Sequence, residues 1–116
     1  MVEAKPLIAV DEVAPLLQGS AEQPVLILKH ATGCGVSRYA YEQWQAFLQT
    51  PEAQTVHSAW VRVIEDRAVS LAIAQALGVT HQSPQAILVR NGQAVWVASH
   101  MDITATALRS AVADGG

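Results

Sequence analysis

This sequence predicts a single α/β domain in which a central mixed β-sheet carries helices on both faces and ends in a C-terminal antiparallel hairpin. Three stretches predict it. Residues 25–30, VLILKH, form a continuous β-branched and leucine run of the kind that suits a strand covered on both faces. Between residues 36 and 48 the positions Tyr39, Ala40, Trp44, Phe47 and Leu48 recur at three- and four-residue spacing, the period of a helix. Residues 85–99, QAILVRNGQAVWVAS, set two strand-like runs around Asn91-Gly92, the pair that supplies the positive φ angles of a tight hairpin turn.

The remaining elements fall around these three. DEVAPLLQ (11–18) puts Val13, Leu16 and Leu17 on one helical face, with acidic residues in the first turn where the helix dipole favours them, and Gly19-Ser20 stops it. Thr50-Pro51 closes the long helix, and AWVRVIED (59–66) reads as the next strand. Ser70 is expected to cap a short helix that runs through Leu77 and stops at Gly78. Thr104 opens an alanine-rich helix to about Val112, and ADGG (113–116) is expected to be a flexible tail. The order helix, strand, helix, strand, helix, hairpin, helix is the layout of thioredoxin-like domains, and right-handed crossovers leave few other arrangements.

A chain of 116 residues fits one domain spanning 1–116, and there are no repeats, linkers or low-complexity segments to divide it. With 51% apolar residues, 15% charged residues and a net charge of −3, the composition argues against disorder and against an electrostatic grip on nucleic acid. The start, MVEAKPLIAVDEVAP, lacks a basic segment followed by a continuous apolar one, and no apolar run approaches a membrane span, so the expected location is the cytoplasm. One cysteine cannot form an internal disulfide, which agrees with a reducing compartment. Any partner thiol must come from outside the chain.

That cysteine, Cys34, lies in KHATGCGVS, just past a central strand and in the first turn of the following helix, where open α/β sheets place their ligand sites. Unpaired N–H groups and the positive end of the helix dipole stabilise a thiolate there. Lowering a thiol pKa from about 8.5 to about 6 raises the thiolate fraction at pH 7 roughly 30-fold, while a Brønsted slope of about 0.45 removes roughly 13-fold of nucleophilicity. As an attacker the thiol therefore gains only about two-fold; the larger benefit comes when it is the leaving sulfur of a mixed disulfide. A free cysteine in an arbitrary cytosolic protein is more often inert packing, but Gly33 and Gly35 on either side are poor core material and leave the sulfur open to a ligand.

Ser83-Pro84 comes immediately before the hairpin. In a thioredoxin-like domain that position carries a cis-proline facing the active thiol, and the backbone before it can pair with a bound peptide as an added strand. His30, His57, His81 and His100 make no recognised metal pair with the cysteine, so no metal site is expected. His30 and His100 lie at predicted strand ends on the Cys34 side and are candidates for tuning the thiol or donating a proton. C-x5-R phosphatase chemistry is disfavoured, because position 40 is alanine.

KHATGCGVS, VIEDRAVSLAIAQALGV, HQSPQAILVRNGQAVW and SHMDIT resemble, in order and spacing, the monothiol bacilliredoxins, the YtxJ-like proteins of the bacillithiol system, over roughly residues 8–110. The resemblance implies a thioredoxin-like oxidoreductase whose thiolate removes bacillithiol from mixed disulfides on other proteins, with a free low-molecular-weight thiol then releasing the adduct. Cys34 matches the active thiol, Pro84 the cis-proline, and His30, Ser83 and His100 the surrounding motif positions. Implied partners are S-thiolated cytosolic proteins and a low-molecular-weight thiol such as bacillithiol as co-substrate. No cofactor, nucleic acid or membrane is implied. Two positions depart from the family pattern: Gly35 stands where proline is common after the cysteine, and Met101 where an aromatic residue follows the SH pair.

The first departure creates C-G-V-S, similar to the C-G-F-S of monothiol glutaredoxins, which implies an alternative: a carrier of a [2Fe–2S] cluster shared across a dimer with an external thiol. Against it, the glycine pair and acidic residue that typically hold the glutathione carboxylate are absent where SHMDIT stands. A further alternative is a non-catalytic thioredoxin-like interaction domain with an unreactive thiol.

Overall fold

A computed structural model describes residues 3–115 of the chain. The elements run β1 (Lys5–Pro6), α1 (Val13–Gly19), β2 (Val25–His30), α2 (Gly35–Leu48), β3 (His57–Arg62), α3 (Arg67–Leu77), β4 (Gln85–Arg90), β5 (Gln93–Ser99) and α4 (Ala105–Asp114). The strands form one sheet in the order β1-β3-β2-β4-β5. β2 is parallel to β3 and antiparallel to β4, and β4 and β5 are the two arms of the hairpin.

The VLILKH run is buried at every position because successive side chains enter two different cores. Leu26 and Leu28 join Trp44 and Phe47 of α2 and Leu108 of α4 on one face. Val25 and Ile27 join Val13 of α1 and Val69 and Ile73 of α3 on the other. A strand sandwiched in this way has no polar face, which explains its apolar continuity. Asn91 and Gly92 take φ of 51° and 75°, the left-handed pair that reverses the hairpin, and Thr104 caps α4 by accepting from the Ala107 N–H at 3.0 Å.

The structure differs from the sequence reading in four places. α3 starts at Arg67 after Asp66, so Ser70 is not a cap but a fully buried residue inside the helix. β3 occupies His57–Arg62; Val63 keeps one backbone bond to the end of β2, and residues 63–66 form the turn into α3. α4 continues to Asp114, so Ala113 and Asp114 belong to a helix rather than to a tail; Gly116 lies outside the described residues. The N-terminal segment adds the two-residue strand β1 beside β3, too short to leave a periodic signal.

Candidate functional site

The sheet register gathers the candidate residues at one end. Lys29 pairs with Gln85, and Gln85 pairs with Ser99, so His30, Pro84 and His100 border one another at the C-terminal end of β2. The His100 N–H donates to the Pro84 carbonyl at 3.0 Å, and the Val63 N–H to the His30 carbonyl at 3.0 Å. Cys34 follows from the same end of β2, four residues beyond His30.

The segment between β2 and α2 is a turn closed by the Cys34 N–H on the Ala31 carbonyl at 3.3 Å. Gly33 takes φ of +90°, a conformation that L side chains rarely adopt, so this position needs glycine for its backbone and not for space. Cys34 is the N-cap of α2, extended at φ −88° and ψ 130°, and its carbonyl accepts the first helical bond from the Arg38 N–H at 2.8 Å. An N-cap side chain lies over the free N–H groups of the first turn. Here that side chain is a thiol, and it is exposed.

The N–H of Ser37, then that of Val36, and last the Ser37 hydroxyl hold the Cys34 thiol below its ordinary pKa, against a smaller opposing effect of desolvation. None of them closes a hydrogen bond of standard geometry on the sulfur. Their effect is that of donors oriented toward a developing thiolate. Ser37 is itself fully buried, and its Oγ accepts from the Ala31 N–H at 3.1 Å, tying the start of the turn to the first turn of α2. With its lone pair on Ala31, the hydroxyl keeps its hydrogen for the sulfur.

The two histidines have different settings. His100 is exposed, follows β5 directly and has a left-handed φ of 55°. His30 is 9% exposed, its ring 5.0 Å from that of Tyr41 and 5.4 Å from that of Trp60, and its Nε2 has no partner among the described residues. Burial lowers the His30 pKa, with the Glu65 charge opposing and the Arg62 charge reinforcing the shift. Burial thus holds His30 toward its neutral form, the form that brings no positive charge toward the thiol. The Ser83–Pro84 bond is cis; Pro84 is buried and Ser83 half-buried, its Oγ without a partner among the described residues. Gly35, at the first position of α2, is exposed, and a Cβ there would meet nothing within 4 Å.

Sequence reading passed over Ser37, although a serine three residues after an N-cap position was the available signal. It also passed over Lys29, a charge inside a strand expected to be covered on both faces. A hollow of about 590 Å³ lined by Lys5, Glu12, Leu16, Val25 and His57 lies at the opposite end of the sheet from the exposed Cys34. Among the described residues, no three or more His, Cys, Asp or Glu side chains gather as a metal site would need, and no helix is long and apolar enough to cross a membrane.

The family model of the monothiol bacilliredoxin BrxC matches residues 5–108, from β1 into α4 and across the whole Cys34 surface. The chain belongs to the monothiol bacilliredoxin family. A solved structure described as a candidate oxidoreductase with a thioredoxin fold is similar over 93% of this chain and 92% of its own, at 31% identity and a TM-score of 0.80. Two thioredoxins share the fold: that of Malassezia sympodialis, at 21% identity and a TM-score of 0.76 over 98% of this chain and 91% of its own, and that of Fasciola hepatica, at 20% and 0.74 over 97% and 99%. The domain is thus a thioredoxin fold, and family and fold together make the bacilliredoxin a thiol–disulfide oxidoreductase at the level of reaction class.

Proposed function

We propose that the chain removes bacillithiol, or a similar low-molecular-weight thiol, from mixed disulfides on other proteins through Cys34. The observation that carries this reading is the exposed thiol at the N-cap of α2, facing the amides of Val36 and Ser37, in a chain with one cysteine. The Cys34 thiolate attacks the low-molecular-weight sulfur of the mixed disulfide, and the protein partner leaves as a thiolate that takes up a proton. The adduct now sits on Cys34. A free low-molecular-weight thiolate then attacks the adduct's own sulfur, giving the symmetrical disulfide and returning Cys34 as a thiolate, so that one free thiol is consumed and its sulfur is oxidised to the disulfide level while the partner protein's sulfur is reduced to a thiol.

The N-terminal amides matter most in this second step, where Cys34 is the leaving group. Gly33 and Gly35 leave the approach to the sulfur uncovered, while the backbone at Ser83-Pro84 is suited to pair with the incoming segment. His30 and His100 complete the rim. The co-substrate is a low-molecular-weight thiol, the partners are S-thiolated cytosolic proteins, and the mechanism needs no metal or organic cofactor.

Intact mass after incubation with a bacillithiolated protein tests the reading. A mass increase equal to the small thiol on wild type, absent from Cys34→Ala, is expected; no adduct on wild type would overturn it. The Cys34-Gly35-Val36-Ser37 sequence favours a second reading, carriage of a [2Fe–2S] cluster. An iron–sulfur absorption band in protein purified without oxygen, lost in Cys34→Ala, would establish that instead.

A further inference from the structure

Beneath the Cys34 surface, on the face covered by α3, lies a polar group that the proposed chemistry leaves unused. Lys29 is completely buried in the middle of the sheet, between Val61 of β3 and Gln85 of β4. Its Nζ stands 3.2 Å from Nδ1 of His81, and Oγ of the buried Ser70 stands 3.3 Å from the same nitrogen. His81 belongs to the segment 78–84 that links α3 to β4 and ends in the cis Ser83–Pro84 bond. Two further bonds hold that segment: Gln85 Nε2 donates to the Thr80 carbonyl at 3.0 Å, and the Val79 N–H to the Ala74 carbonyl at 3.0 Å.

The donor arithmetic fixes the state of the imidazole. An ammonium is a donor only, and a serine hydroxyl facing the same atom can donate as well, so Nδ1 must be the acceptor and the ring must be neutral with its proton on Nε2. The charges acting on His81 are those of Lys29 and Arg67, both positive, and among the described residues no carboxylate registers on either His81 or Lys29. A proton placed on Nδ1 would therefore remove the Lys29 contact, leave only the Ser70 hydroxyl to accept from the ring, and set a second cation against a buried one.

We propose that Lys29 and Ser70 latch the neutral His81 imidazole to the sheet, and that His81 is a positioning residue holding the Pro84 segment in place to receive a substrate opposite Cys34. The role rests on the proposed thiol exchange; the latch itself does not. Burial, followed by the Lys29 and Arg67 charges, lowers the His81 pKa, so the latch is engaged at neutral pH and opens below the usual histidine pKa of 6.5. Deprotonation of Lys29 leaves an amine that still donates, so the alkaline side keeps the bond.

Two measurements on the full chain separate latch from role. Imidazole ¹⁵N shifts of wild type read the latch without activity: the Nε2–H tautomer at pH 7, with protonation below the ordinary histidine value, is expected, and the mixed tautomers of a free imidazole would overturn it. Kinetics with a bacillithiolated peptide read the role. His81→Phe should raise KM about ten-fold while leaving kcat and the alkylation rate of Cys34 within about two-fold, since alkylation needs no Pro84 groove. His81→Asn, which returns an acceptor near Nδ1 without a titrating ring, should restore KM and abolish its rise in acid. An unchanged KM in His81→Phe, or a KM that His81→Asn fails to rescue, would overturn the role. A wild type that exchanges no thiol while showing the latched tautomer would remove the functional reading, and the positioning role with it.

Discussion

Cys34 owes its chemistry to two neighbours with different jobs. Gly33 turns the chain at φ +90° so that Cys34 arrives extended, and buried Ser37 ties Ala31 to the first turn of α2. In Ser37→Ala the Cys34 thiol loses a hydroxyl donor and the Ala31 N–H loses its acceptor. The expected outcome is a higher thiol pKa, seen as an alkylation-against-pH midpoint displaced to higher pH, with a stability loss of about 1–3 kcal/mol. For Gly33→Ala the added Cβ meets nothing within 4 Å, so only the positive φ opposes it. That strain should cost about 1–2 kcal/mol in denaturant unfolding, and an unchanged midpoint would mean that the turn adopts another shape. Gly33 was legible as an open flank of the thiol, but its φ was not, because a turn type depends on how both flanking elements are aimed.

The start of α2 is the clearest case of an element tolerating change in one place and not in the next. Gly35 is the first helical residue, its N–H would be unpaired in any helix, and Cys34 before it already has the extended backbone that a following proline imposes. Gly35→Pro should therefore stabilise the domain by about 0.4–1 kcal/mol through the unfolded state, while the amides of Val36 and Ser37 go on facing the sulfur. Thermal unfolding and alkylation measured on the same variant check both halves. α2 was readable from its spacing because one face of Ala40, Trp44, Phe47 and Leu48 fills a core. α3 was read only from Ser70 onward: its N-cap is Asp66, a residue type that commonly caps helices, but the side chain makes no capping bond here and Ser70 offered a competing start.

For the whole molecule, the buried Lys29 links stability to pH. Burial lowers its pKa from 10.5 to about 8, so the unfolded chain binds more protons than the folded one between those values. Stability should accordingly rise as pH goes from about 8 toward 10.5, relative to Lys29→Met, in which that rise is missing. Urea midpoints of the two proteins across this range measure it, and parallel curves would show that the amine is not desolvated. The opposite flank follows from His30 and His81, both lowered chiefly by burial: stability present above the usual histidine pKa of 6.5 is lost as pH falls below it, because the unfolded imidazoles take up protons first.

Local residue patterns carry the sandwiched strand, the helix after it, the hairpin and the position of the one thiol at a strand-to-helix junction. Each of these is written in neighbouring residues, as a period, a turn pair or a helix start. Long-range packing is what shuts His30 beneath α2 against Tyr41 and Trp60 and brings Lys29 to His81 fifty-two positions away. It also decided that Ser70 faces that pair instead of capping a helix. Those outcomes depend on which side of the sheet a side chain enters and on what packs across from it. Register and crossover fix both, and they are settled between elements rather than within any one of them.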